Sequence, residues 1–265
     1  MPNGLSSVSI LIKTFLRDNY LVEAVGGIEA MMPEVRMIIV DDGETKGKDA
    51  FYYRLRDRGH VVIQLPFDSG FGAKSNAAIE AAYDRPYLLI GSDDFDFFAG
   101  YVRPGIEKLV TVLDSGLVDI ASGRVNGNRY EGWLEDGGTR IVERYIDLNP
   151  AFAISANGIA YYRCDLTVNY SLIRSSILGF DENQVHWDDD VKIGGGEHGA
   201  FFIDVKRAGY SVGYVPGVDI REQSGKPTDV RYQMYRGRAG KSGRPCFAKR
   251  NIQEYVCFDG SIERP

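Results

Sequence analysis

Apolar residues in the first third of the chain come in short unbroken runs rather than in alternation. The runs are "VSILI" at residues 8–12, "VRMIIVDDG" at 35–43, "HVVIQLP" at 60–66 and "PYLLIGSDD" at 86–94. Between them lie stretches that suit helices, such as "AKSNAAIEAAY" at 73–83. Strands apolar on both faces and separated by helices predict a parallel sheet covered on both sides. Such sheets bind ligands beyond the carboxyl ends of their strands. Polar residues gather there: Lys13 and Thr14 after the first run, Asp41 and Asp42 after the second, Asp93 and Asp94 after the fourth.

Pro104 and Gly116 then bracket an amphipathic helix whose stripe is Ile106, Leu109, Val110 and Leu113. "VDIASGRV" reads as a strand, residues 126–150 as loops or a hairpin, and residues 151–178 as strands again. A helix over 197–209 closes at Gly209, and "YSVGYVP" is one more strand. The pattern then changes. Between Arg221 and Arg250 stand nine basic residues against two acids, Glu222 and Asp229.

Composition narrows the classes. The 265 residues are 44% hydrophobic and 26% charged, which suits a globular protein of one large domain with an appendage. A formal net charge of -6 argues against nucleic-acid binding by bulk electrostatics. Three scattered cysteines, Cys164, Cys246 and Cys257, form neither a disulfide framework nor a thiolate zinc site. The start has no basic leader and no run is long enough to span a bilayer, so the expectation is a cytoplasmic protein.

Four motifs carry candidate chemistry. In "VDDG", Asp41 or Asp42 could accept from a ribose hydroxyl or a pyrimidine edge; Asp-Gly is equally a common turn pair. "SGFGAKSN" is not a Walker A loop, because Ala73 stands where that loop needs glycine. Lys74 could still reach a phosphate and Asn76 line a helix start, or the piece is a plain turn. "SDDFDF" follows an apolar lead-in, and aspartate oxygens are the hard ligands that Mg²⁺ and Mn²⁺ prefer. Asp93 and Asp94 point to opposite sides of a continuing strand, with Asp96 returning to the side of Asp94. In "HWDDDVKIGGGEHGAFF", Asp188, Asp189 and Asp190 read as a solvated loop. Glu197 follows three glycines and opens an apolar helix, which suits a general base or an ordinary helix cap. His198 is the alternative base.

The ordered set "VSILIKTFLR", "MIIVDDG", "GFGAKSNAAIEAA", "YLLIGSDDFDF" and "GGGEHGAFFIDVKRAGYSVGYVP" resembles family-2-like GT-A glycosyltransferases, most of all the N-acetylgalactosaminyltransferases that build gangliosides. The resemblance runs from residue 8 to about residue 223. It implies an α/β GT-A (Rossmann-like) fold, a mostly parallel central sheet flanked by helices, with a basic C-terminal extension. A GT-A domain would occupy residues 1–223, its nucleotide-sugar half about 1–125 and its acceptor half about 126–223, with a lid or tail at 224–265.

The resemblance also implies roles. Thr14 and Arg17 would line the nucleotide pocket, Asp41 and Asp42 would hold uracil or ribose, and Lys74 and Asn76 would lie near the diphosphate. Asp93 and Asp94 match the metal motif, and Glu197 falls at the catalytic base. Relatives often add a late histidine ligand; "VPGVDIREQ" has none, so Glu222 is nearest that place and Asp219 second. The implied activity is metal-dependent, inverting transfer of a sugar from a UDP-sugar to a hydroxyl, with Mn²⁺ or Mg²⁺. The acceptor would be a glycan or a hydroxylated base in DNA. The missing membrane segment suggests a bacterial, viral or phage enzyme. Trp133, Trp187, Tyr161 and Tyr162 could stack on a sugar or base. The basic segment could be a lid over the diphosphate, a nucleic-acid contact or a solvated tail. Rival readings are a nucleotidyltransferase, which should show an early Gly-rich loop followed by Arg, and a non-catalytic sugar- or nucleic-acid-binding protein.

Overall fold

A computed structural model describes residues 3–127, 131–189, 196–237 and 243–265, and the backbone alone at Glu131, Glu197, Arg236 and Arg244. Asp190, Arg238 and Lys241, singled out in the sequence, lie outside the described residues.

The first half runs β1 (Val8–Thr14), α1 (Asp18–Met31), β2 (Arg36–Asp41), α2 (Asp49–Asp57), β3 (Val61–Gln64), α3 (Phe71–Ala82), β4 (Tyr87–Ser92) and α4 (Val102–Asp114). The strands pair in parallel in the order β3-β2-β1-β4. Every residue of β1 is buried. Val8, Ile10 and Ile12 pack in one layer with α1 and α4. Leu11 packs in the other with Ala78 and Ile79 of α3. Both faces are covered, so both parities of each strand must be apolar, and the sequence shows runs rather than alternation. Each fully buried Ile or Leu contributes roughly 1.5–3 kcal/mol.

The second half runs β5 (Ile120–Val125), β6 (Glu131–Glu135), β7 (Arg140–Arg144), β8 (Ile154–Ala156), β9 (Ile159–Cys164), β10 (Ser171–Arg174), α5 (Glu197–Arg207) and β11 (Val212–Ile220). Then come α6 (Val230–Arg236), α7 (Gly243–Lys249), β12 (Glu254–Val256) and β13 (Ile262–Glu263). The main sheet has nine strands, ordered β3-β2-β1-β4-β10-β5-β11-β9-β8. Beyond β4 it is mixed. β10 is antiparallel to β4 and to β5, β11 is parallel to β5, and β9 is antiparallel to β11. The reason is local: no long helix separates β8, β9 and β10, and a parallel neighbour needs a crossover. Residues 126–150 supply the hairpin β6–β7, and β12 pairs with β7 to build a second sheet, β13-β12-β7-β6. Among the described residues no helix is long and apolar enough to cross a membrane.

Candidate active site

The parallel strands bring Thr14, Asp41 and Asp93 to one end of the sheet, each less than 2% exposed. Asp41 closes β2. Its carboxylate accepts from the Gly43 N–H at 2.8 Å, from Lys48 Nζ at 2.9 Å and from the Tyr52 hydroxyl. Lys48 also pairs with Asp18 at 2.6 Å. Burial first, then Asp41, raises the Tyr52 pKa, so the phenol stays a donor. Lys48 and Tyr52, both delivered by the α2 region, went unremarked in the sequence. Asp42 accepts from Lys74 Nζ at 2.6 Å and from the Gly70 N–H at 2.8 Å. Burial raises its pKa against the pull of Lys74. Both aspartates are thus held by cations and N–H groups of this chain, which fixes the turn after β2 and the first turn of α3.

The second cluster closes β4. Arg17 spans both carboxylates: Nη1 lies 2.6 Å from Asp94 Oδ2, and Nη2 pairs with Asp93 Oδ1. Ser92 Oγ also donates to Asp94. The Asp93 side chain is 0% exposed. Burial pushes its pKa up to about 6; Arg17 opposes this, and the neighbouring charge of Asp94 adds to it. Burial works against the charge on Arg17 as well, but Asp93 and Asp94 outweigh it. Tyr20 and Tyr232 cover the guanidinium, with ring centroids 5.7 and 5.0 Å away. Arg17 thus supplies one counter-charge to two adjacent carboxylates, the buried Asp93 and the half-buried Asp94.

Residues 221–223 run beside the same turn. The Asp96 N–H donates to the Arg221 carbonyl at 2.8 Å, Phe95 bridges Glu222, and the Gln223 N–H donates to the Asp94 carbonyl at 2.6 Å. The exposed Glu222 carboxylate accepts from Asn126 Nδ2 at 2.9 Å. Asp219 accepts from the Gly127 N–H at 3.2 Å. Gln223 Nε2 donates to the Phe95 carbonyl at 2.9 Å, while its buried Oε1 has no partner among the described residues. Among the described residues no three His, Cys, Asp or Glu side chains converge tightly enough to hold a metal by themselves.

The remaining expectations resolve differently. Glu197 opens α5 directly after Gly196, whose φ of 109° is left-handed and suits glycine. The neighbouring His198 ring stands edge-on to Phe71, 5.6 Å between centroids. Asn76 faces Trp187 and Asp189 rather than open space. Trp187, Tyr161 and Tyr162 are 1%, 0% and 7% exposed, so they are core residues and not stacking surfaces. Trp133 is half-buried with Arg144 over its ring at 4.3 Å.

The sequence profile described as "Glycosyl transferase family 2" matches residues 9–176, more than half of the chain. The chain belongs to glycosyl transferase family 2. Among curated proteins it resembles mouse beta-1,4 N-acetylgalactosaminyltransferase 2, 29% identical over 227 residues, covering 83% of this chain and 40% of the relative. Mouse beta-1,4 N-acetylgalactosaminyltransferase 1 is 33% identical over 118 residues, 44% of this chain and 20% of the relative. The chain therefore spans less than half the length of these relatives. Among solved structures, GalNAc-T7 with UDP, GalNAc and Mn²⁺ superposes with a TM-score of 0.62 at 13% identity, over 84% of this chain and 45% of that one. The mannosyltransferase PcManGT from Pyrobaculum calidifontis with GDP-Man and Mn²⁺ gives 0.54 at 11% identity, over 92% and 64%. These likenesses establish the GT-A fold for this family 2 chain.

Proposed function

We propose that this family 2 domain transfers a sugar from a UDP-sugar to a glycan hydroxyl with inversion, assisted by Mn²⁺ or Mg²⁺. The carrying observation is the pair Asp93 and Asp94 just past β4, the first buried and the second half-buried, bridged by Arg17, whose single charge does not balance both. Hard oxygen donors that include a buried carboxyl, whose charged form burial disfavours, fit a divalent cation, which would favour that charged form. Asp93 and Asp94 would hold it, completed by Glu222 or by its neighbour Gln223, whose Oε1 lacks a partner among the described residues. When bound, the ion supplies Lewis-acid stabilisation to the departing diphosphate. Arg17 adds positive charge on the same side, and Thr14 lies against Asp93. Asp41 and Asp42 hold the turn that meets the uridine, and Lys74 fixes Asp42 while lying near the diphosphate. Glu197 takes the proton from the acceptor hydroxyl, and attack from that side inverts the anomeric carbon. The GalNAc named for the relatives supports an N-acetylhexosamine donor.

The test is a thermal-shift screen of nucleotide sugars with and without Mn²⁺. A ligand bound only by the native state stabilises it by about 2.7 kcal/mol at a hundred times its Kd. Stabilisation by a UDP-sugar that needs Mn²⁺ is expected. Glu197→Gln should then leave that shift in place and lower transfer by about 10² or more. Equal shifts without the ion, or undiminished transfer by Glu197→Gln, would contradict the reading.

A further inference from the structure

Family resemblance puts Asn76 beside the diphosphate, but its hydrogen bonds run the other way. Oδ1 accepts from the Trp187 N–H at 2.8 Å. Nδ2 donates to the Trp187 carbonyl at 2.8 Å and to Asp189 Oδ1 at 2.7 Å. A primary amide has two donor hydrogens and one acceptor oxygen, so every group of this one is engaged. The contact is a clasp on a backbone, and it is buried, with Asn76 7% exposed. One turn earlier the same helix fits the same segment. A Cβ on Gly72 would stand 1.9 Å from the Asp188 carbonyl oxygen, so only glycine lets residues 187–189 lie against α3.

The segment is gripped from its other side too. The Trp187 indole stacks on Phe201 of α5, centroids 4.2 Å apart and planes within 5°. Arg250, just past α7, donates from Nη1 to Asp188 Oδ2 at 3.0 Å and from Nε to both oxygens of Asp204 on α5 at 2.9 Å. Phe247 of α7 lies against Gly199, where a Cβ would meet its ring at 3.0 Å. Residues 187–189 are therefore tied to α3 by Asn76 and to α5 by Arg250.

We propose that Asn76 and Arg250 are positioning residues: they clamp residues 187–189 between α3 and α5 and so set where Glu197, at the start of α5, stands relative to the nucleotide end of the sheet. The role given to Glu197 rests on the reading above; the clamp itself rests on the contacts. Helix α3 joins the two halves of the reaction. Its first turn holds Asp42 through Gly70 and Lys74, and its second turn holds the segment that leads to the base. A displacement of about 1 Å at a reacting group can cost on the order of 10² in rate.

Hydrogen exchange and UDP affinity, measured on the full chain, test this. The variants are Asn76→Ala; Arg250→Lys, which keeps the charge but lacks the planar fork that spans two carboxylates; and Glu197→Gln. UDP with Mn²⁺ probes binding, and UDP-N-acetylgalactosamine probes turnover through UDP release. In Asn76→Ala, peptides covering 185–189 and 198–204 are expected to exchange about tenfold faster or more, while β1 and β4 keep their protection. UDP affinity should stay within about twofold and UDP release fall by about 10². Arg250→Lys should do the same to a smaller extent, and it carries the test alone if Asn76→Ala fails to fold. Unchanged exchange of those peptides would overturn the clamp. So would UDP affinity falling in step with turnover, which would return Asn76 to the diphosphate. Exchange and affinity decide the clamp whether or not this sugar is the natural donor. Glu197→Gln should slow UDP release and leave exchange alone; if release is undiminished, the base assignment falls while the exchange result still judges the clamp.

Discussion

Just past β4 one guanidinium bridges two carboxylates, and its removal should be informative. Arg17→Met leaves the buried Asp93 and the half-buried Asp94 without their cation, which should destabilise the fold, by less where Asp93 takes up a proton. Mn²⁺ added without nucleotide should then raise the melting temperature of Arg17→Met by more than it raises that of the wild type, because the ion no longer competes with a tethered cation. Equal shifts would mean that Mn²⁺ does not go to these carboxylates. Asp94→Asn is the complement: it should keep the fold and lose the Mn²⁺-dependent part of the stabilisation by UDP. A mutant stabilised as well as the wild type would sink the metal assignment. The aspartates were legible in the sequence because an apolar run delivers them. That Arg17 would be their partner was not, since 76 residues separate it from Asp93 and no periodicity links them. The same holds for Asn76, whose clasp crosses 111 residues to Trp187. Spacing rules reach neighbours on one helix or strand, and these contacts are made by the packing of different ones.

The β7 strand shows how an element can carry a pH dependence of its own. Glu143 is 8% exposed beneath the C-terminal segment, and among the described residues its Oε1 has no hydrogen-bond partner. Burial pushes its pKa up to about 7; the Phe258 N–H opposes this, and Glu263 and Asp259 add to it. A carboxyl raised in the folded state favours folding fully below its ordinary value of 4.5, and that contribution is lost as pH rises through about 7. Glu143→Gln mimics the neutral form. It should melt with the wild type near pH 4.5 and above it at about pH 8, by on the order of 1–3 kcal/mol. A difference that is flat across this range would show that Glu143 does not titrate in the folded protein. The partnership behind this was hidden from the sequence. Residues 126–150 read as loops or a hairpin, but β12 is only three residues long, too short for any period to show. The four parallel strands were legible for the opposite reason, being apolar on both faces with helices between them. The mixed half was legible only as a string of strands, because their order in the sheet depends on connections that have no pattern.

At the scale of the whole molecule, residues 226–235 and 249–250 of the C-terminal segment are held to the rest of the chain by charge and by aromatic contact. Arg231 pairs with Glu44 at 2.5 Å, Lys226 with Glu23 at 2.9 Å, Lys249 with Asp188 at 3.6 Å and Arg250 with Asp188 at 3.0 Å. These four of the nine bases answer acids elsewhere in a chain whose net charge is -6. Tyr235 of α6 packs on Phe15 and Phe67, with centroids 5.2 and 5.7 Å away, and Tyr232 covers Arg17. The more exposed pairs, Arg231–Glu44 and Lys226–Glu23, give only about 0.2–1 kcal/mol each and are screened by salt, whereas the more buried Arg250–Asp188 pair is screened less and the aromatic contacts are not. Trypsin cleavage between residues 226 and 250 separates the two. Without ligand, cleavage should speed up as salt rises from about 0.1 M to about 1 M, where the screening length falls from about 10 Å to about 3 Å. Tyr235→Ala should speed it at every salt concentration. UDP with Mn²⁺ should slow it, because a nucleotide bound under Arg17 and Phe15 gives α6 more surface to close on. Cleavage indifferent to salt, to Tyr235→Ala and to UDP with Mn²⁺ would show that the segment does not close the site, and the acceptor side would then have to be sealed by something other than this segment.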